Sequence, residues 1–439
     1  MKIHLIAIGG SAMHNLALAL HFKGYEVSGS DDQIFEPSKS RLAKHGLLPN
    51  KIGWDEDKIT KDIDAIILGM HAKADNPELI KAKDLKLNIY SYPEYIYEQS
   101  KNKKRIVIGG SHGKTSITAM ILHVLENMKI DCDYMVGAKL EGFDVMVKLT
   151  ESTPIIILEG DEYLSSPIDR RPKFHLYKPN IGVISGIAWD HINVFPTFEN
   201  YVDQFRIFKN LITDCIIYCE DDQELNKLIG EGRNCKTISY STPNHTIQNG
   251  ITYIEHIPLK IFGNHNLQNL NAAKLVCNEL GISSKDFLKQ IKTFTGASNR
   301  LEKIKDNNNS AIFKDFAHSP SKLKATINAV KKQFKERKLI ACMELHTFSS
   351  LNKDFLKQYR NSMNEADQAI VFFSLEAIKH KGLEPIKEEE IKSAFNNKEL
   401  IVISDDIILK NHLKNINLEN TNLLLMSSGN FNKMNLDEI

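Results

Sequence analysis

Short apolar runs alternate with stretches of helical periodicity along almost the whole chain. The first run, residues 4–8, predicts a strand, and two glycines and a helical pattern reaching about Phe22 follow it. Further strands are predicted by apolar runs that end at Val27 or cover 65–68, 105–108, 155–158, 181–187, 216–218, 339–343, 370–373, 400–403 and 423–426. Strands that alternate with helices in this way are typical of α/β domains with parallel sheets.

Polar segments divide this pattern. Residues 99–104 read Gln-Ser-Lys-Asn-Lys-Lys and predict a linker, and residues 306–309 read Asp-Asn-Asn-Asn and predict a turn before a third unit. A helix is predicted from Asn264 to Leu280, because Gly281 is a good C-terminal stop signal. A chain of 439 residues is long enough for two or three domains.

Composition and charge narrow the class of protein. Hydrophobic residues make up 42% and charged residues 25%, as in globular proteins generally. Lys plus Arg number 56 and Asp plus Glu 55, so no general field attracts nucleic acid or an anionic membrane, and we expect neither as a partner. Gly9 and Gly10 interrupt the apolar N-terminal segment, and no run of roughly 18 apolar residues occurs, which predicts a cytoplasmic protein. The cysteines form no C-x-x-C pair and are expected to be buried free thiols.

A glycine loop between a strand and a helix carries the clearest chemical signal. After the strand at 106–108, residues 109–115 read Gly-Gly-Ser-His-Gly-Lys-Thr, and helical spacing follows. Glycines let backbone N–H groups approach phosphate oxygens, and the start of a helix adds favourable potential. Lys114 can reach the β and γ phosphates, and the Thr115 hydroxyl can bind Mg²⁺. The spacing is shorter than the common G-x-x-x-x-G-K-[ST], and a plain tight turn is the alternative, but such a turn would not need Lys and Thr together.

Two further residues are candidate metal ligands because each follows a predicted strand. Glu159 ends the strand at 155–158, where ligands of open α/β sheets bind, and can hold Mg²⁺ beside Thr115. His191 follows the strand ending at Ile187, and a second cation there could reduce repulsion between a substrate carboxylate and the γ-phosphate. Taken singly, an acidic turn and a capping or core histidine are the alternatives.

These motifs, with three more, resemble those of the Mur ligase family of peptidoglycan synthesis, in the family's order and over essentially the whole chain. They are Gly110-Ser111-His112-Gly113-Lys114-Thr115, Glu159-Gly160-Asp161-Glu162, Asp190-His191, His265-Asn266-Leu267-Gln268-Asn269, Asn299-Arg300-Leu301-Glu302 and Asp315-Phe316-Ala317-His318-Ser319-Pro320. The resemblance implies an α/β protein with a Rossmann-like UDP-sugar domain (1–102), a central phosphate-loop ATPase domain (103–295) and a C-terminal Rossmann-like ligase domain (296–439). It also implies ATP as cofactor, with Mg²⁺ at two sites.

The resemblance also assigns roles by position. Lys114, His191 and Arg300 would be catalytic, and Thr115, Glu159 and His191 would bind metal. The nucleotide would contact Gly110, Ser111, His112, Gly113, Lys114, Thr115, Ser116, His265, Asn266, Asn269, Arg300 and Asp315. The UDP-sugar would contact Gly9, Gly10, Ser11 and Asp31.

The implied reaction joins UDP-N-acetylmuramate to an amine, which is a peptide or an amino acid. Several family members carry a lysine carbamate after the metal histidine, but this stretch reads Gln204-Phe205-Arg206, which places the chain near members that lack it. Residues 35–38 and 169–179 resemble those members that use L-alanyl-γ-D-glutamyl-meso-diaminopimelate in recycling. Arg170, Arg171 and Lys173 could bind that tripeptide's carboxylates, although a solvated basic loop is the alternative. We therefore expect the tripeptide as amine, with L-alanine as the alternative that His346 and Ser349 favour.

Two other classes of protein stay open on the residues alone. Gly9 and Gly10 after a strand, with Asp31 about 20 residues later, resemble the dinucleotide fingerprint of an oxidoreductase. The G-x-G-x-x-G spacing is not met, however, and Lys114 would have no role. A non-enzymatic nucleotide sensor could use the same phosphate loop without an amine site. The sequence leaves the oligomeric state open.

Overall fold

A computed structural model of the protein describes residues 1–138, 140, 142–189, 194–232, 235–297 and 300–439. The predicted α/β class with parallel sheets is confirmed. The described residues form two compact units, the first from 1–189, 194–241 and 272–283, the second from 242–271 and 284–439. The domain ranges 1–102, 103–295 and 296–439 stay a prediction.

The N-terminal sheet of the first unit has the strand order β2-β1-β3-β4, and its strands are parallel. The strands are β1 (Lys2–Ile6), β2 (Glu26–Ser30), β3 (Ala65–Leu68) and β4 (Ile89–Ser91). The helices are α1 (Ser11–Phe22), α2 (Ser38–Lys44), α3 (Pro77–Asp84) and α4 (Tyr92–Ser100), with a 3₁₀ turn at Glu56–Lys58. The first strand was predicted at 4–8 but lies two residues earlier, because the chain leaves the strand at Ala7, whose φ is +68°.

The central sheet of the first unit has the order β11-β10-β9-β5-β8-β6-β7 and is parallel except for the pair β6–β7. The strands are β5 (Lys104–Gly109), β6 (Asp133–Met135), β7 (Val147–Lys148), β8 (Ile155–Glu159), β9 (Ile181–Ile184), β10 (Cys215–Cys219) and β11 (Lys236–Tyr240). The helices are α5 (Lys114–Asn127), α6 (Lys173–Leu176), α7 (Phe198–Leu211) and α8 (Gln223–Gly230). Because β5 lies between β8 and β9, the carboxyl ends of these three strands meet at one edge.

The second unit contains a small antiparallel sheet and a larger, mostly parallel one. The small sheet is β12 (Thr246–Gln248), β13 (Ile251–Ile254) and β14 (Ile257–Leu259). The larger sheet has the order β15-β16-β20-β17-β18-β19, from β15 (Glu302–Asp306), β16 (Ala311–Asp315), β17 (Lys338–Leu345), β18 (Gln368–Phe373), β19 (Ile401–Ile403) and β20 (Thr421–Met426). The edge strand β15 is antiparallel to β16.

The remaining helices are α9 (Asn264–Glu279), α10 (Ser284–Ile291), α11 (Pro320–Gln333), α12 (Lys353–Leu356), α13 (Leu375–His380), α14 (Glu388–Phe395) and α15 (Asp406–Lys414), with 3₁₀ turns at Lys357–Tyr359 and Leu436–Glu438. The predicted stop of α9 is confirmed, since Gly281 follows it with φ of +87°.

Apolar side chains cover both faces of the larger sheet. Phe313, Met343 and Val371 join one buried cluster, and their neighbours along the strands, such as Ile312 and Cys342, join a cluster on the other face. The near-continuous apolar runs seen in the sequence therefore reflect strands that are buried on both sides.

The cysteines are free thiols, and all except the partly exposed Cys235 are buried. Among the described residues, every helix is too short or too polar to cross a lipid bilayer.

Candidate functional site

The phosphate loop, residues 109–115, joins β5 to α5 in a conformation that two of its glycines permit. Gly110 has φ of +124°, and a Cβ there would lie 2.2 Å from the Ser185 hydroxyl oxygen. Gly113 has φ of +78° at the position just before α5. The Ser185 hydroxyl donates to the carbonyl oxygens of Gly109 and His112 and braces the loop from β9. Side chains at Gly110 or Gly113 would strain the loop.

Lys114, the first residue of α5, is held inside the loop. Its Nζ donates to the Gly110 carbonyl and to Glu162 Oε2, both at 2.7 Å. Burial by itself lowers the pKa of this ammonium, but Glu162 and Asp161 more than offset burial, and the net effect is a pKa above the usual value. The side chain is therefore a fixed cation facing the turn where a phosphate chain would lie.

Glu162 belongs to the site, although no role was predicted for it from the sequence. Its side chain is 1% exposed, and its Oε1 accepts from the Tyr201 hydroxyl of α7 at 3.2 Å. The Tyr201 oxygen lies 2.8 Å from the Ser111 hydroxyl, which accepts from the Ala188 amide at 2.8 Å. A carboxylate three positions after Glu159, in a motif already noted, was the available signal for Glu162, whereas the pattern of α7 contained none for Tyr201.

Thr115, the second residue of α5, lies beside Glu159, the last residue of β8. The Thr115 hydroxyl donates to Glu159 Oε1 at 2.8 Å, and the Gly137 amide donates to Oε2 at 2.8 Å. Burial raises the pKa of Glu159, against the opposing effects of Gly137, Thr115 and Lys114. A hydroxyl and a carboxylate beside a phosphate site are oxygen ligands that suit Mg²⁺, so the donor set fits that ion.

The other predicted residues of the first unit have varied surroundings. Ser116 is buried on α5, and His112 is partly buried within the loop. His191 lies outside the described residues, so its predicted metal role stays a prediction. In the part of the chain that the structure describes, no three His, Cys, Asp and Glu side chains gather as a metal cluster.

The predicted nucleotide residues of the second unit include Asp315, the last residue of β16. Asp315 Oδ2 accepts from the Leu301 amide at 2.6 Å, and Oδ1 accepts from the Ala317 amide at 2.7 Å, so the carboxylate fixes two backbone segments. The neighbouring Arg300 guanidinium lies 4.4 Å from the centre of the Phe316 ring.

Three predicted adenine contacts belong to the first turns of α9. Burial lowers the pKa of His265, which Asp315 partly offsets, so the imidazole is neutral near pH 7. Asn266 donates to the Phe262 carbonyl at 3.0 Å, and Asn269 is buried. Asp315 is thus close enough to His265 to affect its pKa and binds the backbone next to Arg300, and the role of all these residues in binding nucleotide stays a prediction.

The predicted UDP-sugar residues lie between β1 and α1. Gly9, Gly10 and Ser11 form what we call the glycine loop. Asp31 Oδ2 accepts from the Gly9 amide at 2.7 Å, and burial raises the pKa of the Asp31 carboxyl. A Cβ at Gly9 would lie 2.9 Å from Asp31 and from Ile34, so packing within the protein already requires this glycine. A Cβ at Gly10 would have 3.7 Å of room, and Ser11 is exposed at the start of α1.

Two of the three basic side chains predicted to bind a tripeptide already have acidic partners. The Arg171 guanidinium donates to the Asp169 carboxylate at 2.7–3.1 Å. Lys173 Nζ donates to Asp161 Oδ2 at 2.9 Å. Arg170 is exposed. The solvated basic loop, given above as the alternative, agrees better with these pairs than a carboxylate-binding cluster does.

Family models match most of the chain. A model described as "Mur ligase family, catalytic domain" matches residues 2–104, and one described as "Mur ligase middle domain" matches residues 108–277.

Individual relatives extend these matches over both units. The UDP-N-acetylmuramate–L-alanine ligase of Caldicellulosiruptor bescii is 32% identical over 84% of this chain and 83% of its own length. Among solved structures, a UDP-N-acetylmuramate–alanine ligase from Thermotoga maritima has a TM-score of 0.71 at 21% identity and covers 99% of this chain and 97% of its own. A murein peptide ligase from Psychrobacter arcticus has a TM-score of 0.63 at 22% identity, with the same coverage. At such identities the two structures show a shared fold.

Proposed function

Because the chain belongs to the Mur ligase family of ATP-dependent amide ligases, we propose that it joins UDP-N-acetylmuramate to L-alanine in peptidoglycan synthesis. The observation that carries the proposal is the phosphate loop, in which Lys114, partly buried and paired with Glu162, stands next to the Thr115–Glu159 pair. A fixed cation and a metal-binding oxygen pair at one loop serve phosphoryl transfer, and a dinucleotide oxidoreductase would need neither.

The reaction that we propose has two steps, both on the substrates. A carboxylate oxygen of the muramate lactyl group attacks the γ-phosphorus of ATP, and ADP leaves, which produces an acyl phosphate. The amino nitrogen of L-alanine then attacks the acyl carbon, an amide bond forms, and inorganic phosphate leaves with the bonding electron pair. The amine loses its proton in this second step.

Each residue of the loop has a role in this scheme. The loop amides and the start of α5 would bind the phosphates, and Lys114 would hold negative charge that builds up as the γ-phosphoryl group moves. Thr115 and Glu159 would hold Mg²⁺, which supplies further charge neutralisation when bound. Most of the rate enhancement then comes from positioning and electrostatics, as in phosphoryl transfer generally.

L-Alanine is the amine that the available observations favour. The relative at 32% identity is named for L-alanine, and the pairing of Arg171 and Lys173 removes part of the basis for expecting a tripeptide. The tripeptide prediction is therefore less well supported than its alternative. A free amino acid has one carboxylate to neutralise, whereas L-alanyl-γ-D-glutamyl-meso-diaminopimelate has several.

The experiment is steady-state ADP release by the purified protein with UDP-N-acetylmuramate and either L-alanine or the tripeptide. We expect a higher kcat/KM for L-alanine and no ADP release without an amine, with Lys114→Ala as the background control. A higher kcat/KM for the tripeptide would reverse the assignment of the amine. ADP release that ignores both the muramate and the amine would contradict the ligase function itself.

A further inference from the structure

Three polar side chains, two of them buried and one partly exposed, contact one another next to the glycine loop of the first unit. His14 and Asn15 belong to the first turns of α1 and are 2% and 1% exposed, and Arg41 of α2 reaches both of them. Buried polar groups are costly unless each finds a hydrogen-bond partner, and here the partners belong to functional loops. We call these three residues the polar relay.

Its contacts determine the tautomer of His14. The Arg41 Nη1 and Asn15 Nδ2 atoms both lie 3.1 Å from His14 Nε2, and both are donors, so Nε2 must be the unprotonated acceptor. The proton is then on Nδ1, which lies 3.0 Å from two possible acceptors, the Gly10 carbonyl and the Ser38 hydroxyl. Burial and Arg41 both lower the pKa of His14, which agrees with a neutral ring. The relay therefore binds the backbone of the glycine loop.

The opposite end of the relay binds the connection between β6 and β7. Arg41 Nη2 donates to the Asp144 carbonyl at 2.7 Å. Asn15 Oδ1 accepts from Arg41 at 2.9 Å and from the Met146 amide at 3.1 Å. Two of these contacts are distant in sequence, since Arg41 and Asp144 are 103 positions apart and Asn15 and Met146 are 131 positions apart.

That connection leads directly to Glu159. The Met146 carbonyl accepts from the Val136 amide at 3.0 Å, and the next residue, Gly137, donates to Glu159 Oε2 at 2.8 Å. A Cβ at Gly137 would lie 2.7 Å from Glu159 Oε1, so the backbone is pressed against the carboxylate. A series of hydrogen bonds, joined through the backbone of Met146 and of Val136 and Gly137, thus connects the glycine loop to the candidate metal ligand.

We propose that His14, Asn15 and Arg41 are positioning residues that tie the sugar-nucleotide loop to the metal carboxylate. The proposal rests on the proposed function, in that it takes UDP-N-acetylmuramate as the ligand of the glycine loop. Its physical content is linkage: binding of Mg²⁺ and nucleotide fixes Glu159 and Gly137, and the relay passes this order to the Gly10 carbonyl. Each ligand then binds more tightly in the presence of the other, and the two effects are equal.

Calorimetry with three proteins tests the relay. UDP-N-acetylmuramate is titrated into wild type, Arg41→Met and Lys44→Met, with and without a non-hydrolysable ATP analogue and Mg²⁺. Lys44 is the matched control, because it is an exposed cation on the same helix and contributes no hydrogen bond to the relay. Arg41→Lys keeps the charge and is the second variant if Arg41→Met does not fold. Thermal melting of all variants checks the fold.

For wild type we expect the analogue to tighten UDP-N-acetylmuramate by roughly 5-fold or more, within the usual range of coupling between sites. Arg41→Met should weaken UDP-N-acetylmuramate binding by about 10-fold, because it leaves buried acceptors without a donor. The ratio of the affinities with and without the ATP analogue should then be close to one. The KM for L-alanine should stay unchanged, which a general loss of structure would not allow. Lys44→Met should match wild type, and Arg41→Lys should fall between.

The outcomes separate the relay from the proposed function. The relay is overturned, and the proposed function stays intact, if the wild type turns over and the ATP analogue still tightens UDP-N-acetylmuramate in Arg41→Met as it does in wild type. The same holds if Lys44→Met loses as much affinity for UDP-N-acetylmuramate as Arg41→Met does. A wild type that fails to bind UDP-N-acetylmuramate contradicts the proposed function. ¹⁵N NMR of His14 is an independent check, since a proton on Nε2 instead of Nδ1 overturns the relay whichever ligand the protein binds.

Discussion

The first unit contains two strand–glycine-loop–helix segments that differ in where their charge lies. In the phosphate loop, Lys114 projects into the loop and is paired with Glu162 at 2.7 Å. In the glycine loop the charged partner is Asp31, which accepts from the Gly9 amide, and Gly9, Gly10 and Ser11 contribute no cation. The same local architecture can therefore hold anions by a side-chain cation or by backbone amides and the helix start alone.

This difference matches the chemistry proposed for each loop. A transferring phosphoryl group gains charge at oxygens that need a fixed cation and a metal. A sugar-nucleotide pyrophosphate that stays intact during the reaction needs only to be held. Substitutions in the phosphate loop should therefore affect turnover, and those in the glycine loop should affect affinity.

The largest expected effect belongs to Lys114→Ala. Removing this partly buried cation should lower kcat by at least about 10²-fold, as for other groups that stabilise transition-state charge. The Kd for UDP-N-acetylmuramate should stay within a few-fold of wild type, measured by calorimetry. Lys101→Ala, at an exposed lysine, is the control. Lost sugar-nucleotide binding in a folded Lys114→Ala protein would remove the contrast between the loops.

Glu159→Ala should come next, with a raised Mg²⁺ requirement of about 10-fold or more, since a direct ligand matters at least as much as its outer-shell partners. Activity measured against Mg²⁺ concentration tests this, and His191→Ala, at a residue outside the described part of the chain, should behave alike. An unchanged Mg²⁺ dependence in either variant would make that residue structural.

The pH dependence of metal binding follows from the same carboxylate. Burial raises the pKa of Glu159 from its ordinary value of 4.5, so the metal-free folded protein binds a proton there more tightly than the unfolded chain does. The stability of the metal-free protein should therefore fall as pH rises from 4.5 through the raised pKa of Glu159, and Mg²⁺ affinity should weaken as pH falls. Titrations with Mg²⁺ between about pH 8 and about pH 5 would detect the loss of affinity at low pH, and Glu159→Gln should abolish this pH dependence.

Gly10→Ala should have a smaller effect, confined to affinity. The new methyl group has 3.7 Å of room within the protein, but it projects from the loop proposed to hold a pyrophosphate. We expect UDP-N-acetylmuramate to bind several-fold more weakly, with the melting temperature unchanged. Gly9→Ala is the contrasting variant, because its Cβ would lie 2.9 Å from Asp31 and Ile34 and should destabilise the fold by about 1–3 kcal/mol. Equal affinities for wild type and Gly10→Ala would argue against a ligand at this loop.

The smallest effect is expected for Asp31→Asn. An amide oxygen can still accept from the Gly9 amide, and the change removes a buried charge, so the free energy of unfolding should change by no more than about 1 kcal/mol. Chemical denaturation measures this change. A loss of several kcal/mol would show that the negative charge itself holds the glycine loop, and would bring its electrostatics closer to those of the phosphate loop.

Local pattern predicted the fold well where apolar runs are continuous. The strand at 65–68 and the loop between the strand at 105–108 and its helix occur where they were predicted. Strands in weakly apolar segments were not predicted, among them β12, whose residues are exposed, and β15, an edge strand. An exposed strand is stabilised by pairing with its neighbour, and such pairing leaves little trace in the hydrophobic pattern.

The site was predictable only as far as its residues share a motif. Lys114 and Thr115 were found because they belong to the glycine loop before a helix, and Glu159 because it ends a strand. Glu162 and Tyr201 were missed, since their roles depend on a contact across 39 positions. Nothing in the hydrophobic pattern singled out His14 and Asn15, because Arg41 and Met146, which they contact, are distant in sequence.

The ion pair between Lys114 and Glu162 has a consequence for how strongly nucleotide can bind. If the phosphates bind Lys114 as proposed, Glu162 would compete with them from within the protein, at a high effective concentration. The apparent Kd for ATP is then the intrinsic value divided by the fraction of lysine that Glu162 has released. Glu162→Gln should tighten nucleotide and slow its release, so product ADP would inhibit more strongly. Glu162 would thus weaken nucleotide binding and, by the same effect, speed the release of ADP after the reaction.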